Sequence, residues 1–167
     1  DLNHANELVS LIRETFDDAF RIEVAAYPEF HPQARSAEDD LKNFRRKAEA
    51  GANSAITQYF FNVEAYFYYL DQCAAAGIDK PIYAGIMPIT NYANLARFSR
   101  NCGAEIPRWI RKQLEAYADD KDSLLAFGLD VVSKLCTQLI EQGAPGLHFY
   151  TLNQAKATNA IWQRLSI

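Results

Sequence analysis

The sequence is poor in the features that mark most recognisable sites. It holds three cysteines, Cys73, Cys102 and Cys136, widely spaced and without a C-x-x-C pair. Neither a disulfide framework nor a structural zinc site fits that spacing, and a reduced, cytoplasmic setting is expected. His4, His31 and His148 are too scattered to argue for a metal. No G-x-G-x-x-G, P-loop, H-E-x-x-H or G-x-S-x-G is present, which removes the Gly-rich nucleotide turn and the common hydrolase motifs. Seven glycines and six prolines without a period exclude collagen-like and low-complexity chains. Positive charge is not in excess: 17 Lys and Arg face 21 Asp and Glu, a net charge of -4. No nucleic-acid partner is expected on that balance. There is no run of about 18 uncharged apolar residues, so no membrane span is expected. The opening DLNHANELVSLIRETF carries charges through its apolar positions and is no signal peptide. It lacks an initiator Met, and the expectation is a chain that begins inside a longer protein.

What is present is ordinary for a folded domain: 167 residues, 49% hydrophobic and 13% aromatic. Apolar spacing alternates between helix and strand. Leu8, Leu11, Ile12 and Phe16 form a helical stripe. Residues 21–27 read as a short strand stopped by Pro28. Ser36 with Asp39 resembles a capping box and opens a helix with core stripe Leu41, Phe44 and Ala48, ended by Gly51. A second strand is predicted over 54–61, then a helix with Val63, Tyr66, Phe67 and Leu70 that stops at Gly77. A third strand over 81–89 precedes a helix with Leu95 and Phe98. Two extra helices follow, one around Trp109 to Tyr117 and one from Ser123. The last strand, 146–152, leads to a helix through Ile161, Trp162 and Leu165.

Four strand–helix units without a linker predict one α/β domain over residues 1–167 with a parallel sheet. The strands lack strict polar alternation, which predicts cover on both faces. Spacing alone leaves two architectures open, a doubly wound sheet, slightly favoured, and a (β/α)8 barrel, of which four units make half.

Both architectures bind ligands at the carboxyl ends of their strands. The first strand exits through Tyr27-Pro28-Glu29-Phe30-His31-Pro32, a stiff loop in which Tyr27 and His31 could meet a cofactor or simply form a turn. On the next helix Asp40, Asn43 and Lys47 share a stripe flanked by Arg46. That set suits a ribose and a phosphate, or a solvated face. Gln58 is an amide in an apolar strand, where it must find hydrogen bonds in a neighbouring loop or a ligand. Thr90 or Asn91 is placed to cap the fourth helix, and Asn153 the last. His148 reads as a satisfied core histidine.

Three stretches, VAAYPEFHPQARSAEDDLKNFRRKAEAGANSAITQYFFNVEAY, GIMPITNYANLARF and HFYTLN, stand in an order that resembles the methylenetetrahydrofolate reductase family, over most of the chain. The resemblance implies the second half, strands five to eight, of a (β/α)8 TIM barrel with extra helices before the last strand. It implies FAD as cofactor, and NADH or NADPH as hydride donor. The implied reaction reduces 5,10-methylenetetrahydrofolate to 5-methyltetrahydrofolate, feeding methionine synthesis, in a homo-oligomer. Tyr27, His31, Ala34, Asp40, Asn43, Arg46 and Lys47 match the family's FAD contacts. Gln58, Asn94 and Phe98 match its substrate contacts, while Gln154 stands where many relatives have an Arg that contacts folate. The general acid is expected from strands this sequence does not hold, so no catalytic residue is named. Two other readings stay open: a non-catalytic half-barrel acting through self-association, and a barrel enzyme without flavin.

Overall fold

The computed structural model describes residues 1–165. Helix α1 (Ala5–Phe16) leads into β1 (Glu23–Ala26), α2 (Ala37–Glu49), β2 (Ser54–Thr57), α3 (Val63–Ala75) and β3 (Ile82–Ile86). Then come α4 (Tyr92–Cys102), α5 (Arg108–Ala116), α6 (Lys121–Glu141), β4 (Leu147–Phe149) and α7 (Ala155–Trp162). The helix starts are set locally. Ser36 Oγ accepts from the Asp39 N–H at 3.1 Å, and the Asn91 side chain accepts from the Asn94 N–H at 2.9 Å. Gly77 and Gly103, with φ of 75° and 77°, take the left-handed backbone that ends α3 and α4.

The four strands pair in parallel in the order β1-β2-β3-β4. This order bears on the two architectures. A doubly wound sheet needs a reversal of strand order, and none occurs among the described residues. Right-handed crossovers that always step to the next strand put every helix on one face, as around a (β/α)8 barrel. The register row Val24, Ala55 and Ile82 is accordingly buried, while Ala25, Ile56 and Tyr83 on the adjacent row are exposed or half-exposed. The expectation that both faces are covered therefore fails. The core is one-sided and packs the helix-facing row against Phe44, Tyr66, Val132 and Leu135, among others.

The strands are shorter than their apolar runs suggest. β2 ends at Thr57 rather than 61, β3 at Ile86 rather than 89, and β4 has three residues. Tyr59, Phe60 and Phe61 remain buried after leaving the sheet, so hydrophobicity there reflects loop packing rather than pairing. The α1 stripe is also corrected: Leu8, Leu11 and Phe16 are each about half exposed, and Val9 is the buried residue. Arg13 instead fastens the helix, donating to the Gly51 carbonyl and to Asn53 Oδ1. The cap of the last helix is also corrected: its N-cap is Gln154, which makes no side-chain cap, rather than Asn153, which with Leu152 takes positive φ in the preceding turn. Helix α6 starts at Lys121 and is long and apolar enough to cross a membrane by composition. Its stripe of Leu124, Val132, Leu135, Cys136 and Leu139 is buried in the core.

Candidate functional site

The carboxyl ends of β1 and β2 collect a dense polar group. The Tyr27 and His31 rings meet edge to face with centroids 4.6 Å apart. Both line a cleft of about 370 Å³ with Pro32, Gln33, Asn101 and Cys102. The His31 backbone N–H donates to Asp40 Oδ2 at 3.1 Å, which ties the loop to the first turn of α2. Asp40 is only 8% exposed. Burial holds its carboxyl above the usual range, opposed by the His31 N–H and by Lys47. Burial also lowers the Lys47 ammonium, and Asp40 opposes that shift. Burial followed by the Asp40 charge raises the Tyr27 phenol.

Lys47 Nζ donates to the Ala25 carbonyl at 2.6 Å. The Ala26 carbonyl accepts from the Gln58 N–H on the β2 side. Carbonyls alternate along a strand, so Ala25 faces the opposite edge, which has no partner strand among the described residues. The ammonium is thus held by a neutral group and makes no carboxylate pair among the described residues. Beside it, Arg46 donates to Asn43 Oδ1 at 2.8 Å. Ala34 closes the loop, its N–H donating to the His31 carbonyl at 2.9 Å. All seven residues matched to FAD contacts therefore lie on one loop and one helix face.

The second set divides. Gln58 lies one residue beyond β2, not within a strand, and its Oε1 accepts from the Tyr59 N–H at 3.0 Å. It lines a narrow cavity with Tyr27, Glu29 and Cys102. Asn94 and Gln154 lie on a separate groove between the β3–α4 loop, α6 and α7. Phe98 is half-buried on α4 with the Arg97 guanidinium 5.4 Å from its ring centre. His148 is half-buried against Tyr150, ring centroids 4.9 Å apart, rather than sealed in the core.

Four residues outside the predicted set, Glu29, Thr57, Gly85 and Tyr150, brace the strand ends. Glu29 Oε2 accepts from the Glu105 N–H at 2.7 Å, joining the β1 loop to the end of α4, and burial raises its carboxyl. Thr57 Oγ1 accepts from the Gly85 N–H at 2.8 Å, and the Tyr150 hydroxyl donates to the Thr57 carbonyl at 2.9 Å. A Cβ on Gly85 would collide with that carbonyl and lie 2.9 Å from the Tyr150 ring. The signal in the sequence was Gly inside a strand, which marks close backbone approach. Burial pushes Cys73 up to about 11 and Cys136 up to about 12, so neither is a reactive thiolate at neutral pH. Among the described residues no group of His, Cys, Asp and Glu could hold a metal.

A parallel sheet stepping in chain order, with cations, amides and aromatics at its strand ends, defines an α/β domain of a kind consistent with the barrel class. The sequence pattern of methylenetetrahydrofolate reductase matches residues 1–166. The chain belongs to the methylenetetrahydrofolate reductase family. It is 41% identical over 164 residues to 5,10-methylenetetrahydrofolate reductase of Escherichia coli K12, covering 98% of this chain and 55% of that protein. The like-named protein of Pectobacterium carotovorum is 40% identical over 164 residues, 98% of this chain and 54% of its own. The chain thus spans about half the length of the curated relatives it matches. A solved structure of a Clostridium thermocellum protein, described as binding two copies of 5-methyl-5,6,7,8-tetrahydrofolic acid, superposes with a TM-score of 0.61. It is 20% identical and covers 93% of this chain and 56% of its own, which is a likeness of fold.

Proposed function

We propose that this chain forms strands five to eight of a (β/α)8 barrel that reduces 5,10-methylenetetrahydrofolate to 5-methyltetrahydrofolate with FAD and NADH or NADPH. The observation that carries the reading is the group at the end of β1, where Tyr27, His31, Asp40 and Lys47 adjoin. Those residues fit the cofactor chemically. Lys47 and Arg46 offer cationic charge without a carboxylate partner among the described residues, as a pyrophosphate requires. Asn43 and Asp40 offer acceptors to hydroxyls, and the Tyr27–His31 pair offers an aromatic wall. When bound, the flavin supplies the hydride chemistry.

The chain's own residues bind and orient. Gln58 presents an amide with donor and acceptor edges at the end of β2, suited to a nicotinamide carboxamide and to a pterin in turn. Phe98 supplies an aromatic surface for either ring, and Asn94 and Gln154 hold the substrate beyond it. The exposed face of α1 and the turn after it support a partner half, because Leu8, Leu11 and Phe16 on the helix and Phe20 beyond it are each about half exposed. The likeness to a fold that holds methyltetrahydrofolate agrees with a folate ligand.

The test joins this chain with an upstream half supplied as a separate polypeptide. A bound yellow chromophore, bleached by NADH and restored by methylenetetrahydrofolate, is the expected result. A colourless protein that takes up no added FAD overturns the reading. The 167-residue chain alone should give no turnover, and an upstream half supplied separately should restore some. Turnover by the chain alone at a full enzyme's rate sinks the half-barrel.

A further inference from the structure

Tyr59 and Ser99 are far apart in the chain and meet in the interior, where their hydroxyls share a hydrogen bond of 3.0 Å. Tyr59 is 3% exposed and Ser99 6%, so the two hydroxyls satisfy each other away from water. Burial raises the Tyr59 phenol above its ordinary value, which makes this a bond between neutral groups. The Tyr59 ring is itself fixed. It meets the Tyr150 and Phe61 rings edge to face, with centroids 6.3 and 6.1 Å away. Tyr150 is tied in turn by its hydroxyl to the carbonyl of Thr57, the last residue of β2.

The neighbours in sequence give the bond its consequence. Tyr59 follows Gln58, and the Tyr59 N–H donates to Gln58 Oε1 at 3.0 Å, which leaves the amide N–H groups of Gln58 without a partner among the described residues. Ser99 follows Phe98 on α4. The Tyr59–Ser99 bond therefore joins the loop that carries Gln58 to the helix that carries Phe98. The Tyr92 hydroxyl, also on α4, leads the other way and donates to Glu115 on α5 at 3.3 Å. Phenylalanine and alanine would fill the same space as Tyr59 and Ser99 without any buried hydroxyl, so packing alone does not call for the pair. What the hydroxyls add is direction, because a hydrogen bond fixes an angle and a distance that apolar contact leaves loose.

We propose that Tyr59 and Ser99 are positioning residues, whose shared hydrogen bond fixes Phe98 relative to the Gln58 amide. The proposal rests on the reading above, in which Gln58 and Phe98 meet the nicotinamide and the pterin in turn. A ring held by its edge at Gln58 and by its face at Phe98 keeps one angle toward the flavin only while those side chains keep their spacing.

The experiment uses this chain assembled with an upstream half and loaded with FAD. Stopped flow follows flavin reduction by NADH and reoxidation by methylenetetrahydrofolate in Tyr59→Phe, in Ser99→Ala and in the double variant. Each should lower the limiting rate of both half-reactions about tenfold, with a smaller change in the concentration that gives half that rate, because alignment is lost more than binding. The double variant should fall no further than either single one, since the same bond is missing in all three. Its urea midpoint should lie closer to the wild type than theirs, because it leaves no hydroxyl buried without a partner. FAD retention should hold throughout. Rates that recover in the double variant together with the midpoint mark a bond that only stabilises, and overturn the proposal. Losses that multiply in the double variant, or wild-type rates in the single ones, overturn it as well and leave the function intact. A wild-type assembly that NADH does not reduce rejects the function, and this role with it.

Discussion

The two ends of the sheet are built differently. At β1 and β2 the polar side chains are already engaged: Asp40 with the His31 N–H, Lys47 with the Ala25 carbonyl, Arg46 with Asn43. At β3 and β4 the corresponding groups are exposed, and Gln154, Lys121 and Lys156 make no side-chain hydrogen bond among the described residues. A site fixed before its ligand arrives loses little side-chain freedom on binding and suits a resident cofactor. An open groove with exposed, unengaged charged rims suits a ligand that comes and goes. The contrast matches the division between flavin and substrate proposed above.

The largest way to break that contrast is at the joint between the two ends. Gly85→Ala drives a methyl group into the Thr57 carbonyl and the Tyr150 ring. Overpacking against backbone should cost about 3 kcal/mol, read as a lowered urea midpoint. A midpoint like that of the wild type would mean β2 and β3 can separate at little cost. Next is Lys47→Ala, which removes one charge-assisted hydrogen bond to the cofactor. A loss of about 1.5–3 kcal/mol should raise flavin dissociation roughly ten- to hundredfold, measured on dilution. Unchanged retention would take Lys47 out of the site.

Gln58→Ala should slow flavin reduction by NADH and reoxidation by methylenetetrahydrofolate alike. One neutral hydrogen bond, about 1 kcal/mol, corresponds to roughly five- to tenfold in each stopped-flow rate. If both rates hold, Gln58 only braces the Tyr59 amide. The smallest effect is Asp40→Asn, which keeps an acceptor for the His31 N–H and removes a titration. Burial raises the folded carboxyl above its ordinary 3.8. The folded state then binds the proton more readily than the unfolded one, so stability falls as pH rises from about 3.8 through the raised value, and is level above it. The variant should lose that downward step, with a change below about 1 kcal/mol at neutral pH. Denaturation midpoints between pH 3 and 7 give the comparison, and parallel curves would show that Asp40 titrates normally.

Local signals were readable in the chain, and long-range ones were not. The Ser36 and Asn91 caps and the helix stops at Gly51 and Gly77 follow from the residues themselves, because cap chemistry acts within four positions. The end of β2 at Thr57 is not legible in the chain, since Tyr59 to Phe61 are apolar for loop packing and only a pairing partner distinguishes loop from strand. The α1 stripe was legible as a stripe but not as to what covers it. Spacing gave the Asp40, Asn43 and Lys47 face of α2. The pairing of Lys47 with the outer edge of β1 depends on the strand order, in which β1 has only β2 beside it among the described residues. Lys121 and Lys156 lie far apart in sequence, separated by α6 and β4, and only the fold sets them on one groove.

The strand order has a kinetic side. β1 meets β2, and β2 meets β3, across a single intervening helix each, whereas β4 reaches β3 only after α4, α5 and α6. Loop-closure entropy grows with the length spanned, so the first three strands form the cheaper nucleus and the last strand docks against a finished edge. The groove between the β3–α4 loop, α6 and α7 comes into being with that final docking. A chain stalled one step short would already carry the Tyr27–Lys47 constellation, folded and in place, while that groove had no second wall.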